Sequence, residues 1–213
     1  MTKWLYYENP ELVTFVTKVL ENRLHDGKIQ LELAETAFYV EGGGQPSDSG
    51  DINGIRVTKV FEESGRVWHE LEGVVGDVTT VEGRVDSARR RDFSIQHTGQ
   101  HILSQAFFRL FQAETSSFHL TENKVTIDLS RGDLTAEQVS QAEELSNRVL
   151  RQGLPVQIQV FADRAVLPEN LRKMPVVEGA IRLVNIPDFD ICPCGGTHIA
   201  STAELGLIKV ISF

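Results

Sequence analysis

The chain has 213 residues, 41% of them hydrophobic and 24% charged, with a formal net charge of −9. That length can bury a real core in one large domain or two modest ones, and an acidic balance argues against indiscriminate polyanion binding while leaving room for a local basic surface. No stretch reaches the ~20 apolar residues of a bilayer span, "MTKWLYYENPEL" lacks signal-peptide features, and two cysteines one residue apart make no disulfide framework, so a reducing cytoplasm without membrane contact is expected.

The first ninety or so residues read mostly as strands. "KIQLELA" (28–34) alternates Ile29, Leu31 and Leu33 with Gln30 and Glu32, the period of a half-buried strand. Turns at Asn53-Gly54 and Ser64-Gly65 divide the next stretch into short strands, and "TVEGRVD" supplies one more. Short strands at this spacing predict a small antiparallel barrel or sandwich.

The pattern then changes. "DSARRRDFSIQHTGQHILSQAFFRLFQ" (86–112) reads as a long helix. "LTAEQVSQAEELSNRVLRQG" reads as a second helix, with Thr135 and Gln138 at capping-box spacing and Gly153 as its stop. Further strands are predicted at 124–130, 155–162, 180–186 and 205–213. Helices and strands mix without βαβ alternation, so the class is α+β: a β-rich, barrel-like module over 1–88 and a second module of helices and antiparallel sheet over 89–213.

His97 and His101 in "HTGQH" lie one turn apart on one helix face, a spacing at which two imidazoles can grip one metal ion. At about 100° per residue, Ile102, Leu103, Ala106, Phe107 and Leu110 form an apolar stripe, with the histidines roughly opposite. "HTGQH" lacks the glutamate of HExxH, which disfavours a helical zinc peptidase. In "CPCGGTH", Cys194 and His198 repeat the four-residue spacing in a loop that two glycines allow to wrap an ion. Together the pairs predict a tetrahedral His97, His101, Cys194, His198 set, for which zinc, one per chain, is the natural metal. Cys192 is an alternative ligand, but Pro193 stiffens the link between the cysteines. A Cys194 nucleophile is chemically allowed, yet leaves the glycine loop and the other histidines unused.

"HTGQH" followed by "CGGTH" resembles the editing domain of alanyl-tRNA synthetases and its free-standing AlaX relatives, with the second editing-type domain of threonyl-tRNA synthetases a more distant likeness. "FYVEGGGQPSDSG" (38–50) resembles the glycine-rich motif of the longer AlaX forms, and the likeness runs from about Trp4 to Phe213. The resemblance implies zinc on the four ligands just named. It also implies hydrolysis of the ester of tRNA(Ala) mischarged with serine or glycine, the zinc site positioning that ester. No room remains for an aminoacylation domain, so a stand-alone trans-editing protein without an obligate protein partner is expected. By motif, Thr115 is the reader of the substrate side chain, with Ser116 and Ser117 beside it. Gln45 and Asp48 are contacts from the glycine-rich motif, although its three glycines equally suit a tight turn. Arg89, Arg90 and Arg91 are candidate phosphate contacts, followed by Arg148, Arg151, Arg164, Arg172 and Lys173. His69 and His119 carry no assignment. Two other readings stay open: a non-catalytic, zinc-stapled RNA-binding module and a zinc hydrolase of small esters.

Overall fold

The computed structural model describes residues 2–175 and 179–213. By its contacts the chain divides into two compact units, Met1–Phe93 and Ser94–Phe213. The class is α+β, as the patterning predicts.

Six strands of the first unit close on themselves: β1 (Thr14–His25), β2 (Lys28–Leu33), β3 (Gly50–Ile52), β4 (Ile55–Glu63), β5 (Arg66–Leu71) and β6 (Thr80–Val85). They form a closed barrel in the order β1-β2-β5-β4-β3-β6, every neighbouring pair antiparallel. Asp26-Gly27, Asn53-Gly54 and Ser64-Gly65, all at positive φ, turn three of the hairpins. Such two-residue turns match the right-handed twist of the flanking strands. β6 alternates exposed and buried residues along its whole length. Leu31, Leu33, Phe38, Ile52, Val57, Val60 and Leu71 fill the interior. Gly83 is required on β6, because a Cβ there would lie 2.4 Å from the Phe15 ring.

Three polar features of this unit are buried. His69 sits inside with its Nε2 2.8 Å from the Thr36 hydroxyl and its Nδ1 3.1 Å from the Leu31 carbonyl. Trp68 lies under the guanidinium carbons of Arg23 and Arg66, 3.6 and 4.6 Å from its ring centre. Arg90 meets Asp48 through its Nε and Nη2, and donates further to the carbonyls of Pro10 and Ala37 at 2.6 Å. Asp48 also accepts from the Tyr39 amide at 2.6 Å. Trp4, Tyr6, Tyr7 and Tyr39 stack edge to face nearby.

Helix α1 (Ser87–Phe111) begins in the first unit, where Asp86 Oδ1 accepts from the amides of Ala88 and Arg89, and continues into the second. After it come a hairpin of β7 (Thr115–Leu120) and β8 (Val125–Leu129), helix α2 (Ala136–Gln152), and an antiparallel sheet of β9 (Gln157–Phe161), β10 (Ile181–Ile186) and β11 (Asp190–Pro193). α2 has the expected capping box between Thr135 and Gln138 and ends on Gly153 in the left-handed region. Ile102, Ala106 and Phe107 of α1 pack with Val139, Ala142, Val149 and Leu150 of α2 and with Ile186. Leu110, assigned to that stripe by the helical wheel, is 44% exposed.

The expected strand at 205–213 is not one. Residues 206–213 have no ladder partner among the described residues, and α2 side chains grip their backbone instead. Asn147 bonds the amide and carbonyl of Ile208 at 2.9 and 2.7 Å, and Glu143 accepts from the Val210 amide at 2.7 Å. The alternation that suggested a strand reflects Ile208 and Val210 packing inward from an extended segment.

Candidate metal centre

α1 presents to the second unit a face that is both polar and buried. Ser94, His97, Thr98, Gln100, His101, Ser104 and Gln105 are each at most 8% exposed. The i, i+4 spacing sets His97 and His101 side by side, their ring centres 5.2 Å apart. β11 pairs with β10 up to Pro193, and Cys194 then exchanges backbone and side-chain bonds with Arg182, which fixes where the glycine loop leaves the sheet. Ser94 donates to the Thr197 hydroxyl at 2.9 Å, tying the loop to the helix.

The result is convergence of the four predicted ligands. One donor atom each from His97, His101, Cys194 and His198 lies within 4.8 Å of the other three, a group that can hold a metal ion. Cys194 Sγ is 3.5 Å from His97 Nε2 and 3.3 Å from His198 Nε2. The Gly196 amide donates to the same sulfur at 3.3 Å.

The residues behind the ligands orient them. Thr98 Oγ1 donates to the Ser94 carbonyl at 2.8 Å, so toward His198 Nδ1, at 3.1 Å, it is an acceptor. The ring proton of His198 therefore sits on Nδ1 and the Nε2 lone pair faces the cluster. His101 makes the same choice through Nδ1, 3.3 Å from Asp190 Oδ2, while Arg172 holds that carboxylate from behind at 2.8 and 3.1 Å. A second hydrogen bond of this kind is what fixes the tautomer of metal-binding histidines.

The electrostatics separate the two cysteines. Burial pushes the Cys192 thiol up to about 12, and among the described residues its sulfur is not one of the converging donor atoms. Burial also acts on Cys194, but the imidazoles of His97 and His198 outweigh it and hold the thiol well below its ordinary value.

The other expected contacts lie as follows. Thr115 is half-buried on β7 and donates to Ser104 Oγ at 2.7 Å; Ser116 is exposed and bonds the Asp128 carbonyl; Ser117 bonds the Asp128 carboxylate. Gly42 to Gln45 close a tight turn with positive φ at Gly43 and Gly44, the structural reading of those glycines. Gln45 and Asp48 are each 1% exposed within the first unit. Asp48 is thereby corrected from substrate contact to buried partner of Arg90. Arg90, 4% exposed, is corrected for the same reason, and Arg172 is engaged by Asp190. Arg91 is exposed, and Arg89 is half-buried over the Phe93 ring. His119 is exposed on β7. Asp190, Thr98 and Phe118, whose ring lies 5.1 Å from that of His97, were missed, as was the place of Arg172 behind Asp190. Of these only Asp190 had a usable signal, an acidic residue four before a ligand cysteine.

The family described as the threonyl and alanyl tRNA synthetase second additional domain matches residues 181–213. The chain is 34% identical over 225 residues to the alanyl-tRNA editing protein AlaX-L of Pyrococcus horikoshii, covering 100% of this chain and 55% of that protein. It is 35% identical over 182 residues to the alanyl-tRNA editing protein Aarsd1 of Mus musculus, covering 84% of this chain and 44% of the relative. The alanine–tRNA ligase of Methanocella arvoryzae is 32% identical over 219 residues, which are 99% of this chain but 25% of the ligase. The chain thus spans about half the length of the editing proteins it matches.

Proposed function

We infer, from a chain homologous to the alanyl-tRNA editing proteins along its whole length, that its activity is hydrolytic editing: removal of serine, or glycine, from mischarged tRNA(Ala). The observation that carries this reading is the meeting of His97, His101, Cys194 and His198, two segments some ninety residues apart, around one point.

Zinc fits the donor set. Bonds of about 2.0 Å to nitrogen and 2.3 Å to sulfur place tetrahedral N···S edges at roughly 3.5 Å. The two Cys194 to histidine separations, 3.5 and 3.3 Å, match. Bound there, zinc supplies a Lewis acid at which the aminoacyl end can be positioned.

The remaining work belongs to the chain. An aminoacyl ester is already activated, so the site needs an oriented substrate, an admitted water and donors for the developing oxyanion. Asp190 and Thr98 keep the imidazole protons on the outer nitrogens, which leaves Nε2 of His101 and His198 as pure acceptors toward the centre. The Phe118 ring packs against that of His97 and gives one side of the centre an apolar wall. Arg91, with Arg89, remains the candidate phosphate contact beside the helix start; salt-sensitive tRNA binding that flattens in Arg91→Ala supports it.

The closed four-ligand set specifically favours one other reading, a structural zinc in a non-catalytic RNA-binding module. The two separate when the protein is mixed with Ser-tRNA(Ala), Gly-tRNA(Ala), Ala-tRNA(Ala) and a simple ester. Editing releases amino acid from the mischarged species alone, and His101→Ala abolishes that release. Binding without turnover supports the staple, and turnover of the plain ester alone refutes both.

A further inference from the structure

Beside the metal ligands, the buried face of α1 carries two polar groups that the metal centre does not use, and β7 adds a third. Gln100, 4% exposed, donates from Nε2 to Ser104 Oγ at 2.7 Å. Thr115 on β7 donates to the same oxygen at 2.7 Å. Ser104 is fully buried between them. The Oε1 of Gln100 is buried and has no hydrogen-bond partner among the described residues. An orphaned buried acceptor loses its hydration without compensation, so such an atom is expected to have a use.

Its position suggests one. Gln100 is three residues after His97 and adjacent to His101, and Ser104 is three after His101; these spacings put all four on one helix face. β7 supplies both Thr115, which meets the polar group, and Phe118, which packs on His97. A group held at the metal ligands therefore has the Gln100 amide within a helical turn of it.

We propose that Gln100 is a specificity-determining residue that pairs with the side-chain hydroxyl of a seryl ester, so that the site prefers serine to glycine and rejects alanine. The inference rests on the editing reading above and names its substrate. Whichever way round the amide sits, Ser104 takes one end and leaves the other unpaired; a hydroxyl, which both donates and accepts, completes either arrangement. The methyl of alanine fills the same space without pairing, and the hydrogen of glycine leaves it empty. A site built to bond a hydroxyl penalises ligands that lack one, because its own polar group stays buried and unmatched.

Gln100→Met keeps the length and volume while removing the amide. In this variant kcat/KM for Ser-tRNA(Ala) is expected to fall by about tenfold or more, the equivalent of one buried hydrogen bond, while that for Gly-tRNA(Ala) changes less than about twofold. Calorimetric binding of non-hydrolysable seryl, glycyl and alanyl amides of 3′-amino-3′-deoxyadenosine gives a readout without turnover; only the seryl affinity should drop. If Gln100→Met does not fold, Ser104→Ala, which frees the amide to turn, should narrow the serine-to-glycine ratio in the same direction. Equal losses on serine and glycine, or an unchanged ratio, overturn the role of Gln100 while the editing reading stands. A wild-type protein that releases no amino acid from any of the charged tRNAs overturns both.

Discussion

The two units both bury polar side chains, but they do so to opposite ends. In the first, Arg90 and Asp48 satisfy each other, and the guanidinium protons left over go to two carbonyls. In the second, three imidazoles and a thiol turn their lone pairs toward a common point, while hydrogen bonds from behind hold them there. A buried polar group that closes on its neighbours is architecture; one kept open by its neighbours is a site. The same contrast separates Asp48 from Asp190. Both are 3% exposed or less and both meet an arginine, but only Asp190 also reaches a metal-type ligand.

The contrast can be broken at its strongest point by taking away the metal that the proposed function assigns to the second unit. Structural zinc contributes apparent binding energies of about 10–16 kcal/mol in small peptides at neutral pH. Chelation, or Cys194→Ala, should therefore lower the melting temperature of the helical signal sharply and abolish deacylation. Elemental analysis of the purified protein checks the premise; folded protein without bound metal would end it.

Next in size is the closed pair. Removing one partner of a buried ion pair typically costs about 3–5 kcal/mol, whereas replacing both by apolar groups of similar volume is often close to neutral. Arg90→Met should destabilise the first unit by that amount, and adding Asp48→Leu should recover much of it in denaturant titrations. Recovery would show that the pair serves the fold; no recovery would point to a role outside it.

A similar magnitude attaches to His69. Burial lowers its pKa to about 4 in the folded protein, below the usual 6.5. Acidification thus protonates the unfolded chain first, and the stability His69 contributes is complete above pH 6.5 and is lost as pH falls toward 4. The full loss is roughly 3 kcal/mol. His69→Gln should flatten the difference in stability between pH 7.5 and pH 4.5 by about that much; an unchanged slope would assign the acid sensitivity to other groups.

The smallest effect sharpens the comparison most. Asp190→Asn keeps an acceptor for His101 but removes the charge shared with Arg172, and changes of this kind cost about 10–100-fold in metal affinity. Competition with a chromophoric chelator measures it. A loss in that range without loss of fold would separate orienting from binding.

How much of this was legible in the sequence follows from how local each feature is. Both helices, the α2 caps and two hairpin turns came from neighbours in the chain, and the ligand quartet came from two short motifs with helical or glycine-loop spacing. β1 was passed over although Asp26-Gly27 announces its hairpin. Its outward face carries Val16, Leu20 and Leu24, all more than half exposed, and a bulge beside Leu20 shifts the register, so the alternation is spoiled. Arg90 looked like a phosphate ligand because its partner lies 42 positions away. Thr98 and Gln100 sat inside a motif already read for its histidines. Their roles depend on what the loop at 194–199 and strand β7 bring to them.

The aromatic stack around Trp4 and the capped Trp68 have a practical consequence. Every tryptophan and tyrosine of the chain falls between residues 4 and 68. Tryptophan and tyrosine emission consequently originates in the first unit alone. A fluorescence melt would stay silent while the helical half lost its ion, whereas ellipticity would register the event, so disagreement between those two probes becomes a direct reading of which half gives way first.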